Sequence, residues 1–261
     1  MSLDSGQRAA REQFDRQSAR YGRTHVLADV SDLEAAVAGL DFPGGSGRRA
    51  LDVATGGGHA ALWLARRGFD LVLADVSERM LENASGLLRE EGFKCETQAH
   101  PAEELPDSEE SFDVVSCRVA AHHFSDPGAF VREVGRVLKP GGWLIAIDGT
   151  VPDGDPVAAN WAHEVEKLRD PSHGRLIPPV EWRGFCDAAG LAVERCEVGR
   201  LKQPDLEWYF ETAATSEANR VAVRELVRTV PDAAREAFEV AAEDGKVVWL
   251  WHRLHLVARK G

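Results

Sequence analysis

The chain has 261 residues, 44% apolar and 28% charged, with a formal net charge of −12. That length suits one large domain or one domain with an insertion, and the negative balance argues against nucleic acid as a partner, because backbone binding runs on Lys and Arg. No apolar run reaches the length of a membrane span and no signal peptide is recognisable at the start, so a cytoplasmic protein with no membrane partner is expected.

Residues 1–47 read as an N-terminal helical cover. Arg8–Tyr21 is a polar helix candidate carrying Phe14 and Tyr21. Ser31-x-x-Glu34 has the form of a capping box. Leu33, Ala36, Val37 and Leu40 then repeat at helical spacing. Phe42–Gly47 is a glycine-rich linker.

Residues 48–150 form the core of the reading. Arg49–Val53 is a β-prone run containing Asp52. Thr55-Gly56-Gly57-Gly58 permits a tight turn with positive φ and open backbone. His59–Arg67 is a helix stopped by Gly68, and Leu71–Ala74 is a second strand closed by Asp75. Parallel strands joined this way bind ligands outside their carboxyl ends, where the glycine turn and Asp75 both lie. The fragment has two cofactor readings. Gly56-x-Gly58-x-x-Ala61 with Asp75 19 residues after Gly56 fits the dinucleotide fingerprint. Asp52 favours S-adenosylmethionine (SAM), because an anion before the turn repels a pyrophosphate and attracts a cationic methionyl end.

Ser77 caps a helix with an apolar stripe of Met80, Leu81, Ala84, Leu87 and Leu88, ended by Gly92. Lys94–Ala99 is a weaker third strand and Pro101–Ser111 an acidic loop. Phe112–Val119 is a fourth strand, followed by His122-His123-Phe124. Asp126 and Pro127 start a helix that Lys139-Pro140-Gly141-Gly142 stops. Trp143–Ile147 is a fifth strand, ending at Asp148. Strict alternation of β and α predicts a parallel sheet covered on both faces.

Residues 151–261 read as the remainder of the same domain, with helical insertions on the substrate side. Val157, Trp161, Val165 and Leu168 mark a helix and Arg169–Pro179 a loop. Val180–Ala189 is a helix and Leu191–Val198 a sixth strand. Pro204–Ala241 is mostly helical. Val247–Arg259 is a final strand, placed antiparallel by a hairpin-like return.

In this order the pieces resemble the class I SAM-dependent methyltransferases, in particular the bacterial small-molecule branch that includes the ubiquinone and menaquinone biosynthesis enzymes (methyltransferase type 11). The resemblance rests on LDVATGGGHAALWLA at Leu51–Ala65, LADVSERML at Leu73–Leu81 and AEELP at Ala102–Pro106. SFDVVSCRVAAHHFSDP at Ser111–Pro127 and EVGRVLKPGGWLIAID at Glu133–Asp148 complete it. It implies a Rossmann-like α/β sheet of about seven strands with the last antiparallel, and helical insertions after strand five and before the last strand. It implies methyl transfer from SAM to a small-molecule acceptor, leaving S-adenosylhomocysteine (SAH). A SAM- or SAH-binding protein without transfer and an NAD-linked oxidoreductase are the alternatives.

By the same resemblance, Asp52 attracts the ammonium of SAM, and Ala54 and the Gly56, Gly57 and Gly58 backbone lie along its methionyl portion. Asp75 accepts the ribose hydroxyls. Val76 and Met80 flank the adenine, and Ala102 and Glu103 meet its edge. Cys117 and Arg118 offer backbone to the methionyl end. Tyr21, from the N-terminal cover, is a further cofactor contact and an alternative base. The family usually has glycine in place of Ala54 and often an acid in place of Pro101.

The catalytic candidates are His122, His123 and Asp148, at the carboxyl ends of strands four and five, because histidine titrates near neutrality. Adjacent histidines in a loop are expected to point apart, with at most one facing the substrate. Phe124, Arg169 and His173 are substrate-contact candidates, the last two in a loop otherwise expected to be solvated. Trp161, Trp208 and Phe210 suit an apolar lid. Trp249, Trp251, His252 and His255 on the last strand are expected to serve packing and not the site. No metal is expected, because the spacing of His122, His123 and Asp148 matches no metal motif on a helix. Cys95, Cys117, Cys186 and Cys196 contain no C-x-x-C pair and read as reduced thiols.

Overall fold

Buried strands alternating with amphipathic helices can satisfy both faces only as a covered parallel sheet. The computed structural model, which describes residues 3–21 and 26–261, has this arrangement. Helices α1 (Ser5–Gln17) and α2 (Ser31–Val37) precede the sheet. The strands and helices then alternate as β1 (Arg49–Val53), α3 (His59–Arg66), β2 (Asp70–Asp75), α4 (Glu78–Glu90) and β3 (Cys95–Ala99). They continue with β4 (Phe112–Arg118), α5 (Pro127–Val137) and β5 (Leu138–Thr150). Beyond these come α6 (Pro156–Arg169), α7 (Pro179–Ala188), β6 (Leu191–Lys202), α8 (Leu206–Ala213), α9 (Glu217–Arg228) and α10 (Asp232–Ala237). The chain closes with β7 (Ala241–Glu243), β8 (Lys246–Val248) and β9 (Leu250–Lys260).

Among the described residues, seven strands form one sheet in the order β3-β2-β1-β4-β5-β9-β6. β1 to β5 pair in parallel. The last strand, β9, is antiparallel to both neighbours, β5 and β6. This is the seven-stranded sheet with an antiparallel last strand that the motifs imply. One apolar layer packs α5 and α7 on one face, including Phe130, Val134 and Trp182. The other packs α2, α3 and α4, including Leu33, Leu64 and Leu88. A third cluster joins α6, α8, α9 and α10 through Trp161, Tyr209, Phe210, Val223 and Phe238. These helices supply the insertions after β5 and before β9.

Local signals set most boundaries. The Ser77 hydroxyl accepts the Met80 N–H, and the Asp126 carboxylate accepts the Ala129 N–H with Pro127 in the first turn. Gly68 and Gly92 both have positive φ just past their helices.

Three boundary expectations change. The capping box at Ser31 does not form, and α2 has no side-chain cap. Glu34 instead accepts from Trp63 Nε1 at 2.7 Å and from Arg67 Nη2 at 2.6 Å, fastening α2 to α3. Lys139–Gly142 ends the helix but lies within β5, as an irregularity in the register between Phe112↔Leu138 and Val114↔Trp143. Val247–Arg259 is not one strand. Lys246–Val248 pairs with Ala241–Glu243 as a separate two-stranded ribbon, and β9 begins at Leu250.

Gly58 is a close approach between α3 and α4. Its φ is 81°, and a Cβ there would lie 2.9 Å from Ala84 Cα and Cβ on α4. Gly58→Ala should therefore force the start of α3 off α4 while imposing a left-handed alanine, at a cost of at least about 2 kcal/mol. The thermal midpoint should fall by roughly 4–8 °C. An unchanged melting curve would show that the two helices do not meet there.

Candidate functional site

The carboxyl ends of β1, β2, β4 and β5 define the crevice, and two cavities open there. The first is lined by the glycine turn, Asp52, Asp75, Val76, Ala102, Glu103 and the α1 side chains Gln7 and Phe14. The second is roomier, about 630 Å³, and reaches from His122 and His123 to β9 and the helical cap. Phe14, Tyr21, Leu27, Arg118, Val119 and His123 line both, so the cavities meet at the end of β4.

The first cavity is built on two buried carboxylates. Asp52, 1% exposed, accepts from the Thr55 hydroxyl at 2.6 Å and the Ser116 hydroxyl at 2.5 Å. Asp75 accepts the Gly56 N–H at 3.0 Å through one oxygen and the Ser77 N–H at 2.9 Å through the other. Neither forms an ion pair among the described residues. Burial accordingly raises both: Asp52 lies above the ordinary carboxylate range despite its two hydroxyl donors, and Asp75 is pushed up to about 6. A ligand bringing hydroxyl donors and positive charge relieves that cost, whereas a pyrophosphate adds anions beside it.

The backbone around the turn is strained where the family pattern differs. Ala54 has φ 53°, in the left-handed region where glycine is at ease. Val119 has φ 56°, an outlier for a β-branched residue, held by its N–H donating to Ile147 O at 2.7 Å. Such strain concentrates at functional sites, and Val119 stands where the two cavities join.

The remaining first-cavity candidates divide. Ala54, Gly56, Gly57, Asp75, Val76, Ala102, Glu103, Tyr21 and Phe124 line it. The Glu103 carboxylate also accepts from Gln7 Nε2 at 3.1 Å and the Ser125 N–H at 2.8 Å, so α1 already engages it. Gly58 packs against α4 and lies outside the lining. Met80, fully buried, also lies outside the lining, because its position in the α4 stripe turns it into the core. Cys117 is likewise a core residue. The Arg118 guanidinium is taken up by Asp32 at 3.0 Å and by the carbonyls of Leu27 and Asp29. Thr55 and His59 line the cavity without having been singled out in the sequence.

At the second cavity, His122 and His123 lie on a 3-10 turn, Ala121–His123. The tight turn does not splay them. Their ring centroids are 4.1 Å apart, and both line the second cavity, contrary to the expectation that they point apart. His122 Nδ1 lies 2.6 Å from Asp148 Oδ1, while the His122 backbone N–H donates to Asp148 Oδ2 at 2.9 Å. Asp148, 2% exposed, lines neither cavity and meets the second one only through its contact with His122. Burial works against a charged His122, but Asp148 outweighs it and its pKa is raised. Burial raises Asp148 in turn, and His122 with the Gly149 N–H more than reverses this. His123, within 3.1 Å of Ser172 O, is lowered to about 4 by burial and the neighbouring His122.

His173 does not sit in a solvated loop. It is 2% exposed, its ring is 5.3 Å from His122, and its Nε2 has no hydrogen-bond partner. Arg169 is inside too, bonded to Glu166 and stacked over Tyr209 at 4.6 Å. Among the described residues, no three His, Cys, Asp or Glu side chains are arranged to hold a metal ion. Trp161 and Trp208 line the cavity, but Phe210 is wholly buried in the cap under Arg220 and Arg224. Trp249, Trp251, His252 and His255 all line the cavity, against the expectation of plain packing. The start of β9 and the residue before it run under the helical cap beside the end of β5, a placement that alternation in the strand does not reveal. Glu166 and Arg253 complete the wall and carry no sequence signal.

A family model described as "Methyltransferase domain" matches residues 51–146. The uncharacterized methyltransferase YcgJ of Bacillus subtilis is 31% identical over 226 residues, 86% of this chain and 88% of that protein. Its crystal structure superposes with a TM-score of 0.82 at 28% identity, covering 89% of this chain and 99% of that one. The ubiquinone biosynthesis O-methyltransferase of Bordetella avium is 38% identical over 99 residues, 38% of this chain and 41% of that enzyme. A geranyl diphosphate C-methyltransferase from Streptomyces coelicolor, solved with Mg2+, geranyl diphosphate and S-adenosyl-L-homocysteine, shares the fold with a TM-score of 0.66. It is 17% identical, with all of both chains covered.

The Asp148 contact sets the order in which the rings titrate. In an NMR titration, His122 should titrate above the ordinary 6.5 and His123 far below it. Asp148→Asn should bring His122 down, because burial then acts unopposed. A wild-type His122 titrating below 6.5 would overturn the pairing.

Proposed function

The chain belongs to the class I methyltransferases, and on that premise we propose that it transfers the methyl group of SAM to a small-molecule acceptor, in the cytoplasm. The observation that carries this reading is the junction of the two cavities at Tyr21, Arg118, Val119 and His123. One cavity has the chemistry of a SAM site, and the other leaves room for an acceptor beside a histidine held by a carboxylate.

SAM supplies an electrophilic methyl on a sulfonium. In the first cavity, Asp52 and Asp75 are buried carboxylates without a cation, which suits the cationic methionyl end and the ribose diol. Each Asp75 oxygen that accepts one backbone N–H keeps a second lone pair for a ribose hydroxyl. The Gly56 and Gly57 backbone borders the same space. The case against NAD is the Asp52 carboxylate before the glycine turn, which repels a pyrophosphate. The surrounding protein fixes the acceptor against the methyl, and such positioning is a large part of catalysis for an in-line displacement.

An acceptor that attacks through O–H or protonated N–H must lose a proton. His122 suits that task. Asp148 accepts the Nδ1 proton, which leaves the Nε2 lone pair as the acceptor. The acceptor's proton then goes to Nε2 as its O or N gains the methyl, and SAH departs with the sulfur lone pair. Asp148 positions this ring and steadies its charged form.

Calorimetry should show SAM and SAH binding and no NADH binding; tight NADH binding without SAM would sink the reading. Asp75→Ala should weaken SAM by at least about tenfold, since each hydrogen bond to a charged group contributes about 1.5–3 kcal/mol. Wild-type SAM affinity should fall as pH drops through about 6, where Asp75 takes up a proton and loses an acceptor. A metabolite panel assayed for SAH release identifies the acceptor. With a hydroxyl acceptor, His122→Ala should slow single-turnover transfer by about 10²–10⁴-fold while SAM titrations stay at wild type. The wild-type rate should rise with pH along a limb above 6.5, because a raised pKa keeps His122 protonated at lower pH. A fully active His122→Ala enzyme would remove the base from the mechanism.

A further inference from the structure

The second cavity contains a cation that the chain itself leaves unmatched. Four arginines line it: Arg118, Arg169, Arg200 and Arg253. Arg118 is paired with Asp32, Arg169 with Glu166, and Arg200 with Glu239. The Arg253 guanidinium makes no hydrogen bond or ion pair among the described residues. The acids near enough to act on its charge are Asp148, Asp32 and Glu166, and each is already held. Asp148 is bound to His122, Asp32 to Arg118, and Glu166 to Arg169, the Tyr209 hydroxyl and Trp251 Nε1. Half-buried in the cavity wall and without a partner of its own, this guanidinium is open to a charge-assisted contact with an anion.

The sheet row of Arg253 is flanked by glycines, with Leu176 Cδ2 2.8 Å from where a Cβ on Gly149 would stand. Arg253 on β9 lies in register with Gly149 on β5 and Gly199 on β6, so neither neighbour in its row carries a side chain. Both glycines line the cavity. Asp148, which holds His122, is the residue next to Gly149. Arg253 and His122 both line this cavity.

Beyond Arg253 the wall is aromatic. Four of the chain's seven tryptophans line this cavity. Trp208 and Trp251 have ring centroids 5.7 Å apart, and Trp161 and Trp249 meet edge to face at 6.3 Å. Such surfaces favour a flat ring, by area and by stacking geometry.

Resting on the methyltransferase reading, we infer that the acceptor is an aromatic carboxylate, its ring against the tryptophan wall and its carboxylate on Arg253. Guanidinium and carboxylate match as a planar, two-pronged pair. A monoanion fits better than a phosphate dianion. One free arginine stands among three nearby acids, which would repel a second negative charge.

The test uses the full chain with 2-naphthoate and its neutral counterpart 2-naphthamide, read by quenching of tryptophan fluorescence and by calorimetry. Wild type should bind the naphthoate at least about tenfold more tightly than the naphthamide, the worth of one charge-assisted contact. Arg253→Gln should abolish that preference by weakening the naphthoate and leaving the naphthamide unchanged. Arg253→Lys should retain part of it, because it keeps the charge and loses the fork. SAM titration of each variant checks the fold, since Arg253 does not line the first cavity. Equal binding of the two probes, no binding of the naphthoate, or a preference that survives Arg253→Gln would overturn the inference. If Arg253→Gln does not fold, the wild-type comparison still decides. Failure of SAM to bind wild type would overturn the methyltransferase reading instead, and the naphthoate preference is measured independently of it.

Discussion

Asp75 accepts the Gly56 N–H through one oxygen and the Ser77 N–H through the other, and so ties the glycine turn to the start of α4. The rest of the crevice depends on this bridge. Ser77 is then fixed to cap α4 through the Met80 N–H, and its hydroxyl donates to Asp15 on α1 at 2.6 Å. The cover helix, the turn and the second strand thus converge on one carboxylate. The arrangement carries an electrostatic cost, visible in the upward shifts of Asp75 and Asp52. Site residues commonly keep such costs because a ligand relieves them.

The second half of the site depends on a different constraint. β9 inserts between β5 and β6 and runs antiparallel to both. Its side chains Leu254, Leu256 and Ala258 enter the core, while Trp251 and Arg253, with Trp249 just before the strand, line the cavity beneath the helical cap. The cap has its own apolar cluster, with Tyr209 buried against Trp249 at 4.7 Å and hydrogen-bonded to Glu166 at 2.9 Å. The second cavity is therefore a boundary between two packed bodies of side chains, the sheet and the cap, a usual place for a ligand site.

The His122–Asp148 pair joins the two halves. It sits where β4 ends beside β5: the register Arg118↔Ile147 brings the end of β4 next to Asp148, while β5 continues to Thr150. The second histidine has a different environment. His123 packs against Phe14 at 5.0 Å and against the Ser172 loop, and burial keeps it neutral. Two adjacent imidazoles are thereby driven to opposite sides of their ordinary pKa, the division that assigns acid–base roles elsewhere.

The amino-acid order by itself determined what is local or periodic. The β–α alternation through β5, the caps at Ser77 and Asp126 and the glycine turn between two acids all follow from contacts within a few residues. Their motifs also carried the family likeness. Tertiary structure decided what depends on partners far along the chain. Glu34 abandoned its own helix cap for Trp63 and Arg67, 29 and 33 residues away. Met80 turned to the core and His173 to the interior, although their local patterns allowed either. The final run split into a ribbon strand and β9 because Ala241–Glu243 captured its first residues. Arg253 became an unmatched cation because every nearby acid found another partner first. No spacing in a sequence encodes such a competition; it is settled only when the strands and the cap come together.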